Sequence, residues 1–191
     1  SWFLLSFVMS MHRAAWFGDL ETLRDRIERG ENVDGRDGGG RTPLMNACGE
    51  GHLECAEALI EAGAVATVDT VDNLGNTALM LACHKGHHEC VKALIVAGAA
   101  ADKESKDGRT ALMWACNFGQ HECACVLINA GAVVDKAASF GMTALMLASD
   151  NGHDACARAL IDAKADVELT NKLGGSALMI ACRSPPSSYP R

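Results

Sequence analysis

Asp107 to Ala132 reads DGRTALMWACNFGQHECACVLINAGA, and its reading decides the fold. Thr110 is followed by small and apolar residues at Ala111, Leu112, Met113, Ala115 and Cys116, a run long enough for about two helical turns. Gly119 stops that run, a second apolar run extends from Cys123 to Ile128, and Gly131 stops the second. Glycine enters the left-handed conformation that ends helices at little steric cost, so the stretch predicts two short antiparallel helices. Thr110 supplies a side-chain oxygen for the free N–H groups at the start of the first helix. At the matching place upstream Thr42 precedes Pro43, a residue suited to a first helical turn.

The unit recurs on both sides. Thr42, Thr77, Thr110, Thr143 and Ser176 are separated by 35, 33, 33 and 33 residues, and Leu44, Leu79, Leu112, Leu145 and Leu178 keep the same step. A period in this range means a stacked array whose units shield one another. The segments TPLMNACGEGH, TALMLACHKGH, TALMWACNFGQ and TALMLASDNGH resemble the helix-opening signature of the ankyrin repeat, and EAGA, VAGA and NAGA resemble its closing signature. The resemblance covers Met11 to Cys182 and implies an all-α solenoid of stacked helix-turn-helix units with hairpin loops. Repeats fall near residues 11–36, 37–71, 72–104, 105–137 and 138–170, followed by a half repeat at 171–183. Where the family usually carries His after the Leu, this chain has Met45, Met80, Met113, Met146 and Met179, so the hydrogen bonds of that His are expected to be missing and replaced by thioether packing.

Bulk properties narrow the functional classes. A net charge of −7 and a pI near 5.4 have the wrong sign for non-specific binding to phosphate backbones, so nucleic acid is not the expected partner. No stretch has the ~18 continuous apolar residues that cross a bilayer, and a soluble monomer is expected. The nine cysteines follow the repeat. Cys48, Cys83, Cys116 and Cys182 share a slot with Ala15 and Ser149, while Cys55, Cys90, Cys123 and Cys156 share another with Thr22. Slots that exchange Cys, Ala and Ser demand small size, which predicts reduced, buried thiols and an intracellular protein, cytoplasmic or nuclear.

Residues 1–10, SWFLLSFVMS, are apolar but have no basic residue ahead of them and no small-residue cleavage pattern. They read as a remnant ahead of a start at Met9 or Met11, in preference to a cleaved signal peptide. The first repeat carries His12 where later repeats have Met, and its second helix, LETLRDRIERG, is charged enough to cap the exposed end of a stack. Between repeats two and three AVATVDTVDN is two residues longer than its counterparts, predicting a lengthened hairpin. Lys164 replaces the terminal glycine of repeat five, which costs roughly 1 kcal/mol if it turns left-handed. In the half repeat Leu178 and Ile180 are expected to cover repeat five, and Pro185 and Pro186, in the Pro/Ser-rich tail at 184–191, prevent a second helix. The expectation is that the natural protein continues with more repeats or is truncated here.

Motifs that resemble chemistry belong to the repeat. GRDGGGRT at Gly35 to Thr42 approaches a phosphate-binding loop but has Arg41 where Lys is required, and the same frame later reads DNLGNT and KDGRT, so its glycines are inter-repeat turns. HHEC at His87 to Cys90 and HECAC at His121 to Cys125 place neighbouring residues in different directions on a helix, which offers no tetrahedral metal set. His52, His87 and His153 share one slot, where the resemblance implies a structural hydrogen bond. With no GxSxG elbow and no HExxH pair, neither a catalytic residue nor a cofactor is predicted.

What remains is surface. The resemblance implies a concave face, built from hairpin tips and first helices, that holds a protein partner. The residues predicted to contact it are Leu74, Asn76, Lys85, Arg109, Trp114, Phe118, Phe140 and Met142. Trp114 and Phe118 lie four apart on one helix, and Phe140 and Met142 belong to the next hairpin, so together they form a candidate aromatic patch. Trp114 has a second reading as inter-repeat packing, because Leu81, Leu147 and Ile180 fill its slot elsewhere. The predicted function is a non-catalytic scaffold or adaptor. The alternatives are the recognition region of a larger kinase, acyltransferase or ubiquitin ligase, and a thiol or metal sensor using Cys123 and Cys125.

Overall fold

A computed structural model describes residues 10–183. The leader up to Met9 and the tail from residue 184, which holds Pro185 and Pro186, lie outside the described residues. Eleven α-helices occur among those described, in pairs: α1 (Met11–Phe17) with α2 (Leu20–Glu28), α3 (Pro43–Glu50) with α4 (Leu53–Glu61), and α5 (Ala78–Lys85) with α6 (His88–Val96). They continue as α7 (Ala111–Asn117) with α8 (His121–Asn129), α9 (Ala144–Asp150) with α10 (Asp154–Asp162), and the unpaired α11 (Ala177–Arg183). First helices stack on first helices, second on second, and each helix packs on its own pair-mate. No sheet forms among the described residues, only two isolated bridges, Ala137 with Thr143 and Thr170 with Ser176.

The caps form as the sequence predicts. Thr42, Thr77, Thr110 and Thr143 each accept a hydrogen bond from the backbone N–H three residues on, at 3.3–3.4 Å. Second helices begin differently. α2 has a side-chain cap from Asp19, whereas α4, α6 and α10 begin at His52, His87 and His153 without one. Those rings pack on the previous repeat. His52 Nε2 lies 3.0 Å from the Trp16 carbonyl, and His87 lies so close to Gly51 that a Cβ there would come within 2.5 Å of its ring. Gly51 also has φ of 81°, so both its conformation and the close approach require glycine.

The core is a ladder at the repeat step. Leu44, Leu79, Leu112 and Leu145, with Met45, Met80, Met113 and Met146, are buried on the first helices; Leu23, Leu59, Leu94, Leu127 and Leu160 are buried on the second. The thioether does more than fill space in one repeat, because Met45 Sδ accepts the Thr42 N–H at 3.5 Å. In the first repeat His12 Nε2 instead lies 2.9 Å from the Gly35 carbonyl and 3.1 Å from that of Arg41, the kind of bond the Met repeats forgo.

Backbone bonds tie the repeats along the hairpins. The N–H groups of Asn73, Lys106, Ser139 and Lys172 donate to the carbonyls of Gly39, Leu74, Asp107 and Phe140 in the preceding hairpins. On the opposite edge Asp69, Asp102 and Asp135 each accept from a backbone N–H of the next repeat at 3.0 Å.

Two local expectations are corrected. The two extra residues between repeats two and three do not lengthen a hairpin. They form a 3-10 turn, Ala64–Thr67, at the end of α4, where the Thr67 hydroxyl donates to Asp34 of the preceding repeat. Leu178 does not cover repeat five either: it is 72 % exposed, whereas Ile180 on the same helix is buried. Leu178 and Met179 hold the slots that in α3, α5, α7 and α9 are covered by the helix pair of the following repeat. Lys164 takes φ of 66°, so it does turn left-handed and carries the cost set out for that case.

Candidate partner-binding groove

The first helices bring three rings together. Trp114 and Phe118, one turn apart on α7, stack with centroids 5.7 Å apart and planes 5° from parallel. His84 of α5 meets both edge-on, at 5.3 Å from Trp114 and 4.3 Å from Phe118. The Arg109 guanidinium sits 5.5 Å from the centre of the Trp114 ring, while its Nε is 3.1 Å from Asp107. Burial, and after it the Lys85 charge, lower the His84 pKa, which keeps the ring neutral against its aromatic neighbours.

Trp114 packs between repeats, as the second of its readings has it. It is half-buried and packs on the core, yet it carries the exposed Phe118 ring, and its Nε1 is buried with no hydrogen-bond partner among the described residues. Phe140 is 71 % exposed on its hairpin tip, and the ring contacts found among the described residues do not include it. The predicted patch is therefore two features: a stacked cluster on the helices and a separate ring at the tip. Met142 is half-buried and turns to the next hairpin, its sulfur accepting from Asn171 Nδ2 at 3.6 Å.

Leu74 is exposed at its tip, and Lys85 is exposed at the end of α5 with Nζ 4.0 Å from Glu50. Asn76 is buried, its N–H donating to Asp72 Oδ1 at 2.9 Å and its Nδ2 to Asp72 Oδ2 at 3.3 Å, so it holds the hairpin and offers no side chain to a partner. His84 lies among the first-helix positions that the resemblance assigns to the concave face, but it is not one of the residues predicted to contact the partner. Its signal was there: it lies one repeat upstream, in the slot that faces the Trp114 turn across the helix stack.

A cleft of about 310 Å³ opens on the same face, among Trp16, Arg41, Met45, Asn46, Gly49, Glu50, Leu81, His84 and Lys85. His84 lines it and also touches Trp114 and Phe118, which joins the cleft to the aromatic cluster. A larger hollow of about 630 Å³ lies between α8 and α10 on the opposite layer, beside His121, Cys125, Arg158 and a row of alanines. It is an open depression over small side chains, Ala155, Ala159 and Ala163, with Asn129 and Asp162 also on its lining.

The thiols do not make a sensor pair of Cys123 and Cys125. Cys123 is fully buried, whereas Cys125 lies 3.6 Å from His121 Nε2 and is held above the ordinary thiol range, first by burial. Cys48 and Cys116 are pushed up by hydrogen bonds to Cys90 and Cys156 and by burial, and Cys83 by burial and by Cys123. These are protonated packing residues joining a first helix to the second helix of the next repeat. Among the described residues no group of His, Cys, Asp or Glu is placed to hold a metal ion, and no helix is long and apolar enough to cross a membrane.

A single-file stack of helix pairs, tied by hairpins and presenting rings on one layer, defines a helical repeat solenoid. The chain belongs to the ankyrin repeat family: the profile described as "Ankyrin repeats (3 copies)" matches residues 11–101, 65–138, 87–171 and 131–189. Ankyrin repeats are in general protein–protein interaction modules. The chain is also similar to acyl-CoA-binding domain-containing protein 1 of Arabidopsis thaliana, 46% identical over 55 residues. That match spans 29% of this chain and 16% of the relative.

Proposed function

We propose that this chain is a non-catalytic scaffold or adaptor that holds a segment of a protein partner against its first-helix face. The observation that carries the reading is the Trp114, Phe118 and His84 cluster. Phe118 is 41 % exposed while stacked on Trp114 and met edge-on by His84, and exposed aromatic clusters are enriched at binding hot spots. Phe140, Leu74, Lys85 and Arg109 extend the contact surface, with Met142 contributing an edge and Asn76 a structural role. The net charge disfavours nucleic acid, and the reduced packing thiols favour an intracellular, reducing compartment, cytoplasmic or nuclear. The array acts as a monomer in this reading, since α1 to α9 are each covered by the helices stacked beside them.

The test is an affinity pull-down with wild type, Phe118→Ala and Phe140→Ala, neither change removing a buried side chain. Specific partners held by wild type and lost with Phe118→Ala support the reading. Partners held equally by all three contradict it.

A second reading is favoured by the Arabidopsis relative, in which the matched part is 16% of the length: the array is the recognition region of a larger multidomain protein. Nothing in 55 matched residues brings acyl-CoA binding to this chain. Intact mass of the endogenous protein separates the readings, a mass near 20.1 kDa contradicting the second.

A further inference from the structure

Asn46 occupies a slot that later repeats fill with Leu81, Trp114, Leu147 and Ile180. It is 4% exposed, its Nδ2 reaches the His12 carbonyl only at 3.4 Å, and its Oδ1 is buried with no hydrogen-bond partner among the described residues. A buried acceptor left without a donor costs roughly 1–3 kcal/mol. The other repeats show that the fold accepts an apolar residue here, so the amide is held against stability, and such residues mark sites completed by a ligand.

The ligand's chemistry follows from what the cleft around Asn46 leaves unmet. Its two cations are engaged, Arg41 with Asp72 at 3.7 Å and Lys85 with Glu50 at 4.0 Å. Both pairs are held by charge at distances too long for a hydrogen bond, so the Glu50 carboxylate, like Asn46 Oδ1, retains acceptor capacity. Trp16, 40% exposed, supplies a flat aromatic wall. A volume of about 310 Å³ is at the small end for ligand cavities and suits one side chain.

We propose, resting on the groove reading above, that this cleft takes an arginine side chain from an extended segment of the partner protein. A guanidinium is a donor without acceptors, planar, and forked, so it can donate to Asn46 Oδ1 and Glu50 while lying on the Trp16 ring. The negative net charge of the chain favours the approach of such a segment. Asn46 and Trp114 sit in the same slot two repeats apart. Stacked helices lie about 8–10 Å apart, so an extended segment rising ~3.3 Å per residue reaches from the cleft to the aromatic cluster in about five or six residues. The recognised sequence therefore pairs an arginine with an aromatic or aliphatic residue five or six positions away, in either direction.

The probe is a phage library of random dodecapeptides selected on the full chain, repeated on Asn46→Leu, Gly49→Ala and Phe118→Ala. Gly49 lies within α3, and a Cβ there would meet Leu81 Cβ at an ordinary 3.5 Å, so alanine fits the helix while filling the cleft. The expected result is enrichment of the arginine-apolar pair on wild type. Arginine is lost on Asn46→Leu and Gly49→Ala, whose Tm is unchanged or raised, while the apolar member is lost on Phe118→Ala. A winning peptide should bind Asn46→Leu at least roughly tenfold more weakly, and replacing its arginine by glutamine should do the same. A Phe118-dependent consensus without arginine overturns this inference and leaves the groove reading standing. Peptides indifferent to Phe118→Ala and Asn46→Leu, or no enrichment at all, overturn both, and a lower Tm for Asn46→Leu shows the amide to be structural and overturns the arginine assignment.

Discussion

Residue by residue, the hairpin tips show how one atom decides a backbone. Asp37, Asp72 and Asn171 each use a side-chain oxygen to accept two tip N–H groups, from Gly39 and Arg41, Leu74 and Asn76, and Leu173 and Gly175. Ala138 holds that place in repeat five and has no oxygen to offer. The tip there is the one whose non-glycine residue, Phe140, turns left-handed, with φ of 61°. Ala138→Asp restores the acceptor and is predicted to stabilise the chain by about 0.5–1.5 kcal/mol, read as a raised Tm; an unchanged or lower Tm contradicts this account of the tip. The period and the capping threonines were legible because they repeat within one unit. The Phe140 conformation and the unpaired Asn46 oxygen were not, because each depends on a side chain that breaks the pattern rather than forming it.

At the level of the helices, capping and burial act together. Thr110 is 1% exposed and caps α7, the helix that carries Trp114 and Phe118. Thr110→Ala leaves the Met113 N–H without its partner and should cost about 1–2 kcal/mol, measured by urea denaturation. A loss near zero would mean that the stack, and not the cap, fixes α7. The end of α5 and the start of α6 carry the titrating pair. Burial lowers the pKa of both His84 and His87. A free imidazole titrates near about 6.5, so below that the unfolded chain takes up protons that the folded chain resists. The unfolded state then binds more protons, stability rises with pH, and it is lost as pH falls from about 7 to about 5. Tm should decline over that window, and a His84→Gln, His87→Gln double variant, with Gln120 as precedent for the second change, should decline less; an equal slope contradicts the assignment. Helix lengths and order were readable from the glycines, but the 3-10 turn after α4 was not, because its contact with Asp34 comes from the repeat before.

For the molecule as a whole, stability runs in single file, since each repeat is held by its neighbours through packing, the hairpin bonds and the aspartate ties. α11, with Leu178 and Met179 exposed, is predicted to exchange its amides faster than α5 to α8. The proposed binding face spans several repeats, which is why single positions in the sequence indicated its class but not its layout. Cluster and cleft are separate in sequence and meet only at His84. The central claim is that partners are held by the first-helix layer, and hydrogen exchange on the chain with and without a captured partner tests it most directly. The account predicts added protection in α3, α5 and α7 and in the hairpins before them, with α4, α6 and α8 unchanged. Protection confined to the second helices, or to the hollow beside Cys125, would contradict it.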